Sequence, residues 1–133
     1  MDIVKEKIEQ AGALLAEMNL DMWLVFVRET PLQADPVMPL VVGDDVTWES
    51  FFVYTRKGDA VALVGNFDED IFRNRGRFTE VIPYTKGVRE EIRGLLDRFD
   101  PAQVALNYST SDSAADGLTH GMYLLLSEYL KGT

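Results

Sequence analysis

The chain has 133 residues, 47% hydrophobic and 26% charged, a composition typical of one globular domain with its own core. It contains no cysteine, which excludes disulfides and thiolate metal sites, and no apolar run approaches the roughly 18 residues of a membrane-spanning helix. Its formal net charge of −9 disfavours nucleic acid and anionic lipid as partners, because like charges repel.

Apolar residues near the amino terminus recur at helical spacing and predict an amphipathic helix. The stripe consists of Val4, Ile8, Ala11, Leu14, Leu15 and Met18. Asn19 tolerates the left-handed conformation that ends many helices, and Leu20 stands where such an ending makes its hydrophobic contact. The segment carries acids and no signal-type apolar region, so we expect a cytoplasmic protein.

Residues 22–65 contain three predicted strands. Residues 22–27, Met-Trp-Leu-Val-Phe-Val, form a continuous apolar run, which is typical of a central strand covered on both faces. Residues 28–47 contain three prolines, and we expect a short helix near residues 36–42 or a functional loop. Apolar runs on either side of Lys57 and Gly58 predict an antiparallel hairpin.

The second half alternates helices and strands. Acids followed by bases in residues 66–74 predict a short helix, and Pro83 places a fourth strand, residues 78–84, at a sheet edge. A second long amphipathic helix is predicted over residues 88–99, a fifth strand over 103–108, and a last helix from about Ser113 to Leu130. This order predicts an α/β fold, a mixed five-stranded sheet between flanking helices, in one domain covering residues 1–133.

The only histidine, His120, falls on the predicted last helix, with Asp116 one turn earlier. A metal or catalytic role needs partners, and no other histidine or cysteine is available. We therefore favour packing or capping for His120 over chemistry. Any companion of His120 would have to be a carboxylate, hydroxyl or amide, and Asp116 could either orient the ring or simply cap and neutralise it.

Acidic residues and arginines are further candidates for a functional site. The paired acids, Asp44 and Asp45, Asp68 to Asp70, Glu90 and Glu91, and Asp112 and Asp116, fall in turns or at helix starts, where capping and solvation explain them. Arg73, Arg75 and Arg77 follow a predicted helix end, where they complement its dipole. Neither a phosphate-binding glycine motif nor a nucleophile elbow occurs in the sequence. We therefore predict no catalytic, cofactor-binding or metal-binding residue in this chain.

The last helix is apolar on more than one face, which predicts that something beyond the sheet covers it. The residues predicted to form this interface are Leu118, Met122, Tyr123, Leu126 and Tyr129.

Two stretches at opposite ends of the chain resemble one known family. "IEQAGALLAEMNLDMWLVF" and "VALNYSTSDSAADGLTHGMYLLL" are similar to the N-terminal domain of the creatinase and prolidase group, which includes Xaa-Pro aminopeptidases and dipeptidases. The resemblance implies a three-layer, ribonuclease-H-like α/β/α domain that precedes a metallopeptidase domain of pita-bread fold, expected after residue 133. It also implies divalent metals (Mn, Co or Zn) in that second domain, a homodimer, and an N-terminal domain that shapes access to the active site.

Two further hypotheses remain open at this point. The acidic charge would suit an interaction module resembling the inactive peptidase-like domain of a histone chaperone, with a basic protein as partner. An independent nuclease of ribonuclease-H architecture would need carboxylates carried by strands and grouped in one cleft.

Overall fold

The computed structural model describes residues 1–132, which form five helices and five strands with two additional 3-10 turns, Asn66–Asp68 and Ser113–Ala115. The elements follow in the order α1 Ile3–Glu17, β1 Met22–Val27, α2 Met38–Val41, β2 Ser50–Thr55, β3 Ala60–Gly65, α3 Glu69–Arg75, β4 Glu80–Tyr84, α4 Arg89–Phe99, β5 Val104–Leu106 and α5 His120–Tyr129. Within residues 1–132, no helix is both long enough and apolar enough to cross a bilayer.

The five strands form one mixed sheet in the order β4-β3-β2-β1-β5. β2 is antiparallel to both β1 and β3, whereas β5 is parallel to β1 and β4 is parallel to β3. The predicted hairpin is confirmed, and its turn contains Gly58 at a φ of 97°, a conformation that favours glycine. Pro83 does lie on an edge strand, where its missing N–H costs no ladder bond.

Side chains on the two faces of the sheet belong to two separate cores. In β1, Met22, Leu24 and Phe26 pack with α4 and α5, while Val25 and Val27 pack with α1, α2 and α3. The continuous apolar run therefore reflects a strand buried on both faces, as predicted. The result is three layers, helices on each side of the mixed sheet, which confirms the predicted fold class.

Both ends of α1 lie where the sequence predicts them, but two residues of its apolar stripe are not buried. Asp2 caps the helix by accepting from the N–H of Val4, and Asn19 ends it at a φ of 58°. Leu14 and Met18, predicted to belong to the buried stripe, are 46% and 65% exposed. They lie at the margin of the stripe, where they border an apolar groove beside the edge strand β5 instead of the core.

The predicted last helix begins seven residues later than expected. Residues 113–115 form a separate 3-10 turn capped by Asp112, and α5 starts at His120 with Thr119 as its cap. The reason lies in the backbone between them. The N–H groups of Gly117 and Leu118 donate to the carbonyl of Asn107, at the end of β5, so this stretch cannot continue a helix.

Candidate functional site

The candidate site lies at the carboxyl edge of the sheet. Because β1, β3, β4 and β5 all run in the same direction, their carboxyl ends meet there, at the position where open α/β sheets form ligand crevices. Two neighbouring clefts open on this edge, and both are lined by Arg28 and Glu29, directly after β1. We call them the β1–α5 cleft and the β2–β4 cleft.

A buried hydrogen-bond chain lies behind the β1–α5 cleft and reaches its wall at Asp35. The indole N–H of Trp23 donates to Asn107 Oδ1 at 2.6 Å, and Asn107 Nδ2 donates to Asp35 Oδ2 at 2.9 Å. The other carboxylate oxygen of Asp35 accepts from the N–H of Val37 at 3.0 Å. The chain joins β1, the end of β5 and the start of α2, and the Asp35 residue is only 2% exposed.

Gly117 fits against this chain because it has no side chain. A Cβ atom at that position would overlap the carboxylate of Asp35. The residue therefore allows the loop before α5 to approach the loop before α2 closely, and it completes the wall of the cleft.

The β2–β4 cleft is organised around Glu49. Tyr84 Oη donates to the backbone carbonyl of Glu49 at 2.7 Å, and Tyr129 Oη donates to its Oε1 at 2.5 Å. Burial, followed by the nearby Glu49 carboxylate, raises the pKa of Tyr84 to about 12. Burial, followed by the hydrogen bond to Glu49, raises the pKa of Tyr129 well above its ordinary value. Both phenols are therefore protonated donors at neutral pH.

An aromatic surface borders the β2–β4 cleft. The ring of Trp48 lies 5.7 Å from that of Tyr84 and 5.6 Å from that of Phe67. Phe67 is 82% exposed, although it is a large apolar side chain. Leu32, at the β1–α5 cleft, is 86% exposed. Apolar groups placed beside two clefts in this way are typical of a surface that contacts another body.

Glu29, which the two clefts share, has an unusual backbone. Its φ is 47°, a conformation that non-glycine residues adopt rarely and at a cost of the order of 1 kcal/mol. Its N–H donates to the carbonyl of Thr47 at 2.9 Å, which ties the end of β1 to the segment before β2. Thr30 strengthens the same connection by donating to Asp45 Oδ1 at 2.8 Å.

The structure corrects the packing interpretation of His120. This residue is the first of α5 and is exposed, so it is not part of a core. Asp116 precedes the helix, and its Oδ1 accepts from the N–H of Ser109, so the two residues do not form the helical pair expected from their spacing. The cap of α5 is Thr119.

The acids are distributed among separate local contacts. Asp44 pairs with Arg75 and Arg77, and Glu69 pairs with Arg73, which is more specific than the dipole role predicted for these arginines. Asp112 caps the turn that follows it, as expected of an acid at a helix start. Residues 1–132 contain no group of three or more His, Asp or Glu side chains placed to hold a metal ion. The carboxylate grouping that the nuclease hypothesis requires is thus missing from this part of the chain.

The five residues predicted to form an interface are placed differently from one another. Met122 and Leu126 are buried against this chain's own sheet, and Leu118 and Tyr129 pack partly against the same core. Tyr123 is 38% exposed, and its ring lies 5.4 Å from that of the exposed Tyr108. The apolar part of the outward surface of α5 is therefore formed by Tyr123 and its neighbour Leu124, which is 56% exposed.

Comparison with known proteins gives a match at the level of structure alone. Searches with the sequence match no family model and no curated protein. Similar solved structures include the N-terminal domain of an Xaa-Pro dipeptidase from Lactobacillus brevis, with a TM-score of 0.64 and 15% identity over 92% of this chain and 87% of that one. The chain has the creatinase/prolidase N-terminal fold.

Two more structures agree with this result. The creatinase/prolidase N-terminal domain of an X-Pro dipeptidase from Streptococcus pyogenes has a TM-score of 0.63 at 13% identity, covering 97% of this chain and 91% of that one. The Xaa-Pro dipeptidase from Bacillus anthracis has a TM-score of 0.68 at 13% identity, covering 96% of this chain but 32% of the dipeptidase. This chain thus corresponds to about a third of that enzyme. These similarities give no support to the interaction-module alternative.

Asp35, which lines the β1–α5 cleft, and its hydrogen-bond partner Asn107 were not predicted from the sequence. A signal for each was present. Asn107 directly follows the apolar strand that ends at Leu106, and Asp35 precedes a proline in a turn-rich segment. Polar residues at the ends of apolar strands are candidates for a crevice at the sheet edge.

Proposed function

We propose that this chain is the non-catalytic N-terminal domain of an Xaa-Pro aminopeptidase- or dipeptidase-like metallopeptidase. The observation that carries the proposal is the fold shared, over more than nine-tenths of the chain, with N-terminal domains of Xaa-Pro dipeptidases. In the Bacillus anthracis dipeptidase, two thirds of the enzyme lies outside the matched region. A second domain of this kind is the partner proposed for the present chain, in a cytoplasmic protein.

The metal belongs to that second domain in this proposal. Divalent Mn, Co or Zn held there would lower the pKa of a bound water and supply the nucleophile. Residues 1–132 do not fit the requirement for a metal centre of their own, since no three of their ligand-type side chains converge.

The role proposed for this domain is to shape access to the active site and to help build a dimer. Support for the first part comes from the carboxyl edge, where two clefts and the exposed Leu32 and Phe67 form a surface suited to a neighbouring domain. Support for the second part comes from the exposed pair Tyr108 and Tyr123 on the outer side of α5.

The direct test is an assay of the purified chain with manganese and an Xaa-Pro dipeptide, with the full-length Bacillus anthracis dipeptidase as the positive control. We expect no proline release above the buffer blank from the chain alone. Turnover that is proportional to the chain's concentration and persists through further purification would disprove the proposal.

A further inference from the structure

The β1–α5 cleft contains a carboxylate that forms no ion pair with any side chain in residues 1–132. Asp35 lines this cavity of about 180 Å³ while being 2% exposed. None of the salt bridges formed within residues 1–132 includes it. Buried charges in proteins are normally paired, because an isolated one loses the solvation of water without compensation.

The groups around Asp35 donate hydrogen bonds to its carboxylate. Its two hydrogen bonds come from neutral donors, the side-chain amide of Asn107 and the backbone N–H of Val37. The amide cannot turn its oxygen towards Asp35, because that oxygen already accepts from the indole of Trp23. An ionised carboxylate offers about four acceptor positions, and these two donors occupy two of them.

The walls of the cavity distinguish between two kinds of cation. A metal ion needs several oxygen ligands, and residues 1–132 provide no group of three. Phe26, Leu32 and Met122 instead place apolar surface beside the carboxylate, with Thr119 as an additional polar group. A ligand with a charged group next to an apolar side chain matches this lining, and the volume of the cavity is enough for about one amino-acid residue.

We propose that the β1–α5 cleft binds the free α-amino group of a peptide or amino-acid amide, with Asp35 as the residue that pairs with the ammonium. Arg28 and Glu29 also line the cleft. Glu29 adds a second negative charge, and Arg28 provides a positive charge that disfavours ligands with additional cationic groups. The site is independent of the proposed peptidase parent, since only residues of this chain form it.

The test is a titration of the isotope-labelled chain with L-leucinamide, followed by the NMR signals of Gly117, Thr119 and the Asn107 side-chain amide. We expect saturable shifts with leucinamide and none with N-acetyl-leucinamide, which has the same body without the charge. Nα-acetyl-lysinamide is expected to bind more weakly, because its ammonium is separated from the rest of the ligand by a long stem. Magnesium chloride at the same ionic strength is expected to leave these signals in place.

The Asp35→Asn variant is expected to bind leucinamide at least about 10-fold more weakly, since a hydrogen bond to a charged partner is lost. Asp45→Asn is the matched control, because Asp45 lies in the same inter-strand segment, bonds Thr30, and does not line the cleft. Equal shifts with the acetylated ligand, tighter binding of the lysine derivative, or unchanged affinity in folded Asp35→Asn would overturn the assignment. The acetylation comparison uses the unaltered chain, so it decides the matter even if the variant does not fold. Enzymatic turnover plays no part in this readout.

Discussion

Replacing Asn107 with alanine would remove the centre of the hydrogen-bond chain between Trp23 and Asp35. The buried carboxylate would lose a donor, which costs about 1.5–3 kcal/mol for a charged acceptor. The indole N–H would lose its acceptor, which costs about 1–3 kcal/mol when water does not replace it. Since the two losses share one site, we expect the free energy of unfolding to fall by about 3–5 kcal/mol. That is a large part of the 5–15 kcal/mol typical of a domain.

The measurement is urea unfolding followed by tryptophan fluorescence and circular dichroism, analysed with a common slope. Asn74→Ala is the control, because Asn74 is an exposed residue of α3, and its loss should change stability by less than about 0.5 kcal/mol. A loss below about 1 kcal/mol in Asn107→Ala, with Asn74→Ala unchanged, would refute the view that this chain of bonds holds the β1–α5 cleft together.

Four further predictions concern charge, burial and association. The hydrogen bond from Arg98 holds the pKa of Glu80 below its ordinary value, so the pair stabilises the fold above that value and less as the pH falls through the lowered pKa. Arg98→Gln should therefore reduce the loss of unfolding free energy on acidification by about 0.2–1 kcal/mol, the range for an exposed pair. A pH dependence of the urea midpoint equal to that of the unaltered chain would contradict this. Because the pKa of Tyr84 is raised to about 12, its neutral form favours the folded state, and stability is lost as the pH rises above 10. Between pH 10 and 12, the free energy of unfolding of Tyr84→Phe should therefore fall less than that of the unaltered chain. An equal fall in both proteins would show that Tyr84 does not cause the loss of stability. Leu126→Ala should lower the free energy of unfolding by about 2–5 kcal/mol, because it leaves a cavity at a buried position. Tyr123→Asp should leave the free energy of unfolding unchanged and shift the sedimentation coefficient towards that of the monomer. A dimer that survives Tyr123→Asp would remove this residue from the interface.

Local sequence patterns determined most of the secondary structure. We could recognise the apolar stripe of α1, the apolar run of β1 and the hairpin at Gly58 from the sequence. Apolar residues recur along each element at the spacing that places them on its buried side. The left-handed ending of α1 at Asn19 was predicted from the type of that residue. The family resemblance noted from the two ends of the chain agreed with the fold found by structural comparison.

The sequence by itself thus determined the helices, the strands and the fold class, because each depends on neighbours within a few residues. Only the tertiary structure decided the rest. Asn107 is 84 residues from Trp23 and 72 from Asp35, and they meet because β5 pairs with β1. α5 begins only at His120, since the N–H groups of Gly117 and Leu118 bond the carbonyl of Asn107 directly after β5. A contact between distant segments has no local period, so the cleft at the carboxyl edge became visible only when the strand order was known.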